Sequence, residues 1–210
     1  MIAGPVAPVS AVASAPTAVQ SPEARADALI ARMTLEEKVG QVSQQFVLGS
    51  AAPVETRVKA AQLGSVLFVR DPVVVNRIQK MAVEETRLGI PLLFGYDVIH
   101  GFRTVFPVPL AMAATWNPGL VEQSQSVAAQ EARASGIHWT FAPMLDLTRD
   151  PRWGRIVEGP GEDPYLASVL AAAQVRGFRA RPSARQDMCL QVPSISWAMA
   201  RPRGGVTMTA

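Results

Sequence analysis

Three short apolar runs, Ser65–Val69, Pro91–Gly95 and His138–Ala142, stand out along the chain because few polar residues interrupt them. Continuous apolar character over that length suits parallel strands covered on both faces, whereas a half-exposed strand would alternate. Between the runs the punctuation is polar and repeats one device. Ser21-Pro22, Asp71-Pro72, Asn117-Pro118 and Asp163-Pro164 each set a side-chain oxygen ahead of a proline. The oxygen can accept a hydrogen bond from an orphan N–H of the first turn, and proline fits the first helical position because no donor is needed there. Thr34-Leu35-Glu36-Glu37 adds the spacing of a capping box. Helices are therefore expected at 22–32, 35–45, 72–87, 118–135 and 164–178.

The resulting order is two helices, strand, helix, strand, long loop, helix, strand, long loop, helix, which reads as α/β. A closed eight-stranded barrel typically needs roughly 250 residues, and only about three strand–helix units are visible. The expected fold is thus part of a TIM-type (β/α) barrel rather than a whole one, a partial barrel whose elements run over residues 22–178. Residues 1–21 precede it and residues 179–210 form a tail of different composition.

Composition alters this picture little. The 49% hydrophobic and 18% charged content is that of a globular chain. No run of about 18 apolar residues occurs, so no membrane-spanning helix is expected. The single cysteine, Cys189, excludes an internal disulfide. The net charge of +3 would suit an acidic partner, but five Arg and one Asp lie between Arg179 and Ala210. The remainder holds fifteen basic and sixteen acidic residues, so the body is near neutral and no nucleic-acid partner is expected. The opening stretch lacks the basic and long apolar regions of a complete signal peptide, although Ala11–Ala15 (AVASA) has the small residues of a cleavage site. It reads either as the remnant of an export signal or as a disordered tail.

Candidate chemistry gathers after the second and third apolar runs, at the strand ends where α/β folds place their sites. In Gly95-Tyr96-Asp97-Val98-Ile99-His100-Gly101-Phe102-Arg103, Asp97 could accept hydrogen bonds from two neighbouring sugar hydroxyls. Arg103 could orient that carboxylate or donate to another hydroxyl; the same spacing would equally serve an ion pair that stabilises the loop. His100 beside Asp97 makes too small a ligand set for a metal. The second cluster runs from Asp146 through Arg149, Asp150, Arg152, Trp153 and Arg155 to Glu158, Glu162 and Asp163. Most of these charges are expected to hold the loop, with Trp153 able to offer a ring face to a sugar. Asp163 is accounted for as a helix cap, and Glu158 or Glu162 could in principle be a general acid. His138, on a predicted strand, is expected to be a hydrogen-bonded core residue. No Gly-rich phosphate loop, Ser-His-Asp signature or Cys-based metal spacing occurs, so neither cofactor nor metal is expected.

GYDVIHGFRTVFPVPLAMAATWNPGLV and FAPMLDLTRDPRWGRIVEGPGEDPYL, with MTLEEKVGQ and LGSVLF before them, resemble the amino-terminal barrel of glycoside hydrolase family 3, in particular its bacterial periplasmic β-glucosidase branch. The resemblance covers roughly residues 22–178. It implies hydrolysis of terminal β-glucosidic bonds by the intact family member, a β-glucoside or oligosaccharide substrate, and a periplasmic or secreted location. By position, Asp97 resembles the carboxylate that grips the sugar in the −1 subsite, and Arg103 and Arg155 match further residues lining it. The family's nucleophile lies in a later segment like S-D-x-x-A and its acid/base further on. Neither segment occurs in this chain, which is therefore expected to be inactive alone.

After Phe178 the resemblance leads one to expect a K-H-F segment, and the tail does not contain it. Regrouping possible codons from Pro193 onward by one reading frame can yield a string with K-H-F and G-G-R-D-Y. The tail is accordingly expected to be a frameshift product, which the nucleotide sequence across these codons would reveal or refute. Two other readings remain: a sugar-binding module without catalysis, and an interaction protein whose basic tail meets an acidic partner.

Overall fold

The computed structural model describes residues 21–179 and the backbone of residues 190–191. Ala11–Ala15, Cys189 and most of the 179–210 tail lie outside the described residues. The chain divides into two units, residues 1–33 and 34–210. In the first, helix α1 (Pro22–Arg32) starts where Ser21 Oγ accepts from the Ala24 N–H at 3.2 Å, and none of its residues is buried.

In the second unit the caps act as their spacing predicts. Thr34 Oγ1 accepts from Glu37 N at 3.2 Å while the Glu37 carboxylate accepts from Thr34 N at 2.9 Å, opening α2 (Leu35–Val42). Asp71 caps α4 (Pro72–Glu84), Asn117 caps α6 (Pro118–Ala134) and Asp163 caps α7 (Pro164–Phe178), each one residue ahead of its proline. The expected helix 35–45 ends early. Ser43 turns extended, and Gln44–Phe46 becomes strand β1. An unanticipated helix, α3 (Ala52–Lys59), follows; its first residue is preceded by Ala51, which has no side chain able to cap. The expected strands appear as β2 (Ser65–Leu67), β3 (Leu93–Tyr96) and β4 (Trp139–Thr140), and a short helix α5 (Pro109–Ala113) lies in the long loop between β3 and α6.

The described residues thus build a five-stranded sheet, two strands more than the three expected. Its order is β1-β2-β3-β4-β5, with β5 at Leu190–Gln191, and every neighbouring pair is parallel. Sequential parallel order is the order of strands around a (β/α) barrel wall. The fifth strand lies in the tail that showed no strand alternation. Two residues are too few to display one.

Val66 and Phe94 at the centre of β2 and β3 are fully buried. Val54 and Val58 of α3, Val75 and Ile78 of α4, and Ala128, Ala129 and Ala132 of α6 belong to the same core cluster. Burying a side chain such as Phe94 contributes about 1.5–3 kcal/mol. A second cluster joins α5, α6 and α7 through Met112, Val121, Leu170 and Ala173. Among the described residues no helix is long and apolar enough to cross a membrane.

The approach of α7 to α6 needs a glycine. A Cβ on Gly177 would lie 2.4 Å from the Glu122 carbonyl oxygen and 2.7 Å from Gln125 Cβ. Gly177→Ala is therefore expected to destabilise the chain by about 1–3 kcal/mol through overpacking, read as a lower urea midpoint. An unchanged midpoint would mean that α7 can withdraw from α6 without cost.

Candidate functional site

Asp97 directly follows β3, so the strand's end fixes its position. The next residue, Val98, is fully buried, and its N–H donates to Thr140 Oγ1 on β4 at 3.3 Å. The backbone on one side of Asp97 is thus tied to β3 and on the other to β4. Asp97 itself opens to solvent. The packing behind it desolvates the carboxyl and raises its pKa above the ordinary carboxylate value; Arg155 pulls it down, and Glu158 adds to the upward push.

Arg155 comes from the long loop after β4, immediately before the 3₁₀ turn Ile156–Glu158. Its Nε donates to Glu158 Oε1 and Oε2 at 3.1 and 3.0 Å, and Nη2 donates to Glu158 Oε2 at 2.5 Å and to Met144 Sδ at 3.4 Å. The Glu158 hydrogen bonds, with the charges of Glu158, Asp97 and buried Asp146, hold the guanidinium above its ordinary pKa despite partial desolvation. One cation therefore serves three carboxylates. The two clusters separated in sequence meet here, and Glu158 is committed to Arg155 rather than presented as a proton donor.

Arg103 behaves differently. It is exposed on the turn after β3, and its charge acts on Glu131 of α6. The cation acting on Asp97 is Arg155, not Arg103. His100 is engaged through Nδ1 with the Phe106 carbonyl at 2.9 Å. His138 accepts through Nδ1 from the Phe94 N–H at 3.3 Å, and burial lowers its pKa, as suits a core histidine. Among the described residues no group of three or more His, Cys, Asp or Glu side chains converges as a metal site. Arg152 forms an ion pair with Asp150 at 2.5 Å, and its hydrogen bonds bring that carboxyl down to about 2, so this pair holds the loop.

Two features were invisible in the sequence. Phe46, Phe68, Tyr96 and Phe102 form a row of ring contacts with centroids 5.5, 5.4 and 5.1 Å apart, running from the first strand's end to the turn beside Asp97. Phe68 adopts φ +64° within this row, a left-handed conformation that is costly for a bulky residue. The second feature is Glu131, one acidic residue inside a helix with no local sign of its partners. A pocket of about 350 Å³ between α5 and α6 is lined by Phe106, Met112 and Val127 among others, and includes neither Asp97 nor Arg155.

Residues 34–192 match the family described as glycosyl hydrolase family 3 N terminal domain. Similar relatives include the "Periplasmic beta-glucosidase" of Salmonella typhimurium, 39% identical over 78% of this chain and 22% of that protein. The "Lysosomal beta glucosidase" of Dictyostelium discoideum is 30% identical over 73% of this chain and 22% of that protein. Among solved structures, β-glucosidase from Listeria innocua in complex with glucose superposes with a TM-score of 0.73 at 38% identity, covering 81% of this chain and 26% of that one. A mutant of that enzyme in complex with laminaribiose also gives 0.73 at 38% identity, over 82% of this chain and 26% of that one. The chain spans about a quarter or less of the length of these proteins. The family match runs through residue 192, past the boundary at 178 drawn from the motifs.

The charge arrangement makes a signed prediction. Arg155→Met removes the influence that lowers the Asp97 pKa and frees Glu158, so the Asp97 carboxyl should titrate at higher pH. Glu158→Gln removes an upward push, so it should titrate lower. Carbon-13 NMR titration of the Asp97 carboxyl reads both; a shift of the opposite sign in either variant would contradict the shared site.

Proposed function

The chain belongs to glycosyl hydrolase family 3, and from that premise we propose that it forms the sugar-gripping part of a retaining β-glucosidase, with Asp97 and Arg155 at the sugar. The observation that carries the reading is the convergence of Asp97, Arg155 and Glu158 at the carboxyl end of parallel strands. A carboxylate there accepts from adjacent hydroxyls, and a guanidinium held in place by a second carboxylate donates to the ring's oxygens without having to be ordered first. Glu158 thus fixes Arg155, and Arg155 tunes Asp97. Arg103, exposed at the tip of the neighbouring turn, completes the proposed rim.

In the reaction of a retaining glycosidase, a carboxylate attacks the anomeric carbon while a second carboxylic acid protonates the leaving oxygen. Water then hydrolyses the glycosyl-enzyme, with the second group acting as base. Asp97 and Arg155 would hold and orient the glucosyl unit during both steps. The segment that resembles the family's nucleophile, S-D-x-x-A, does not occur in these residues. The proposal for the 210 residues alone is accordingly binding without turnover. Export is the matching proposal for location, supported by the periplasmic name of the Salmonella relative and open to cell fractionation.

Calorimetric titration with glucose should show weak binding by the folded chain. Asp97→Ala should weaken it by about tenfold or more, the scale of a lost charge-assisted hydrogen bond. An aryl β-glucoside should not be cleaved. Glucose binding that survives Asp97→Ala unchanged would contradict the site. Aryl-glucoside cleavage abolished by that substitution would contradict the separation of gripping from cutting.

A further inference from the structure

The turn that carries Arg103 is closed on itself. Phe106 N donates to the His100 carbonyl at 2.8 Å, His100 Nδ1 meets the Phe106 carbonyl at 2.9 Å, and Gly101 and Val105 form an antiparallel bridge between them. Gly101 has φ +124°, and a Cβ there would lie 2.1 Å from the Thr104 carbonyl oxygen. Residues 100–106 are consequently closed into one piece by their own hydrogen bonds. That piece rests on α6 at two points. At its base, the Gln125 side-chain amide donates to the Ile99 carbonyl at 3.4 Å. At its tip, the Glu131 carboxylate accepts from Arg103 N and Thr104 N, both at 2.8 Å, and from Thr104 Oγ1 at 2.6 Å.

The tip contact suits an anion. Two successive backbone N–H groups converge on one carboxylate oxygen while a hydroxyl donates to the other, so all three donors need acceptor lone pairs. An amide side chain in the same place could offer its oxygen to the two N–H groups only if the Thr104 hydroxyl turned to accept from its NH2, and without a charge those bonds would be weaker. The Thr104 hydroxyl, then its backbone N–H, keep Glu131 ionised below the ordinary carboxylate pKa; the Arg103 N–H and guanidinium act in the same direction.

We propose that Glu131 is a positioning residue for the sugar site, its carboxylate fixing the 100–106 turn and thereby Arg103 and the chain leaving Asp97. This role rests on the sugar-gripping reading of Asp97. A turn pinned at its tip presents Arg103 to a sugar already in place; a turn held only at its base must be ordered when the sugar binds, and affinity falls accordingly.

The test uses the full chain, nitrogen-15 labelled, with glucose as probe. Glu131→Gln should speed amide exchange at Arg103 and Thr104 by about tenfold or more and weaken glucose binding by about tenfold, with little change in the urea midpoint. Glu131→Asp should recover part of both effects. Thr104→Ala, at an exposed position, removes one of the three bonds and should produce smaller changes of the same sign. Amides that lose protection while glucose affinity stays at the wild-type value would overturn the positioning role and leave Glu131 as a loop tie. Amides whose exchange is unchanged in Glu131→Gln would overturn it as well. A wild-type chain that does not bind glucose would sink the sugar-gripping reading itself and this role with it. That result differs from the others because the failure precedes any substitution.

Discussion

Three carboxylates, those of Asp97, Asp146 and Glu158, act on the single guanidinium of Arg155. The Glu158 charge pushes the Asp97 pKa up, as a like charge does. Arg155 offsets that repulsion, and in doing so joins parts of the chain far apart in sequence. Asp97 comes from the end of β3, Asp146 from the chain after β4, and Glu158 from the 3₁₀ turn. Without the cation, the Asp97 carboxyl would lose the charge that pulls its pKa down. The fold brings the groups together, and the hydrogen bonds from Arg155 to Glu158 hold the cation among them.

What delivers them is the parallel sheet backed by α6. Ala128, Ala129 and Ala132 let this helix lie close against the core, because small side chains hold the helix near the strands. From that position its polar side chains reach the loop beyond β3, Gln125 at the base and Glu131 at the tip. One helix therefore contributes to the core on one face and to the site's edge on another. Gly177 of α7 permits the close packing that supports it from behind.

The helices were legible where the information was local. A capping oxygen followed by proline states a helix start within two residues, and Asp71, Asn117 and Asp163 all cap as their spacing implies. Helix α3 was missed because Ala51 offers no such signal. Strands β1 and β5 were missed because Gln44-Gln45-Phe46 and Leu190-Gln191 are too short and too polar to form an apolar run; pairing with a neighbour makes them strands. The site followed the same division. Asp97 and Arg155 were readable as members of two charged clusters, yet their meeting was not, and the pairing of Asp97 with Arg103 suggested by their spacing gave way to Arg155. Glu131 left no trace in sequence, since its three donors lie 27 and 28 residues away.

Whether the strand end bearing Asp97 and the loop bearing Arg155 form the one sugar site proposed is tested most directly by mapping glucose-induced amide shifts over the labelled 210-residue chain. The largest shifts should cluster at both Asp97–Gly101 and Arg155–Glu158 in a single saturating titration. Shifts confined to one of these segments, or centred on the pocket between α5 and α6, would contradict it.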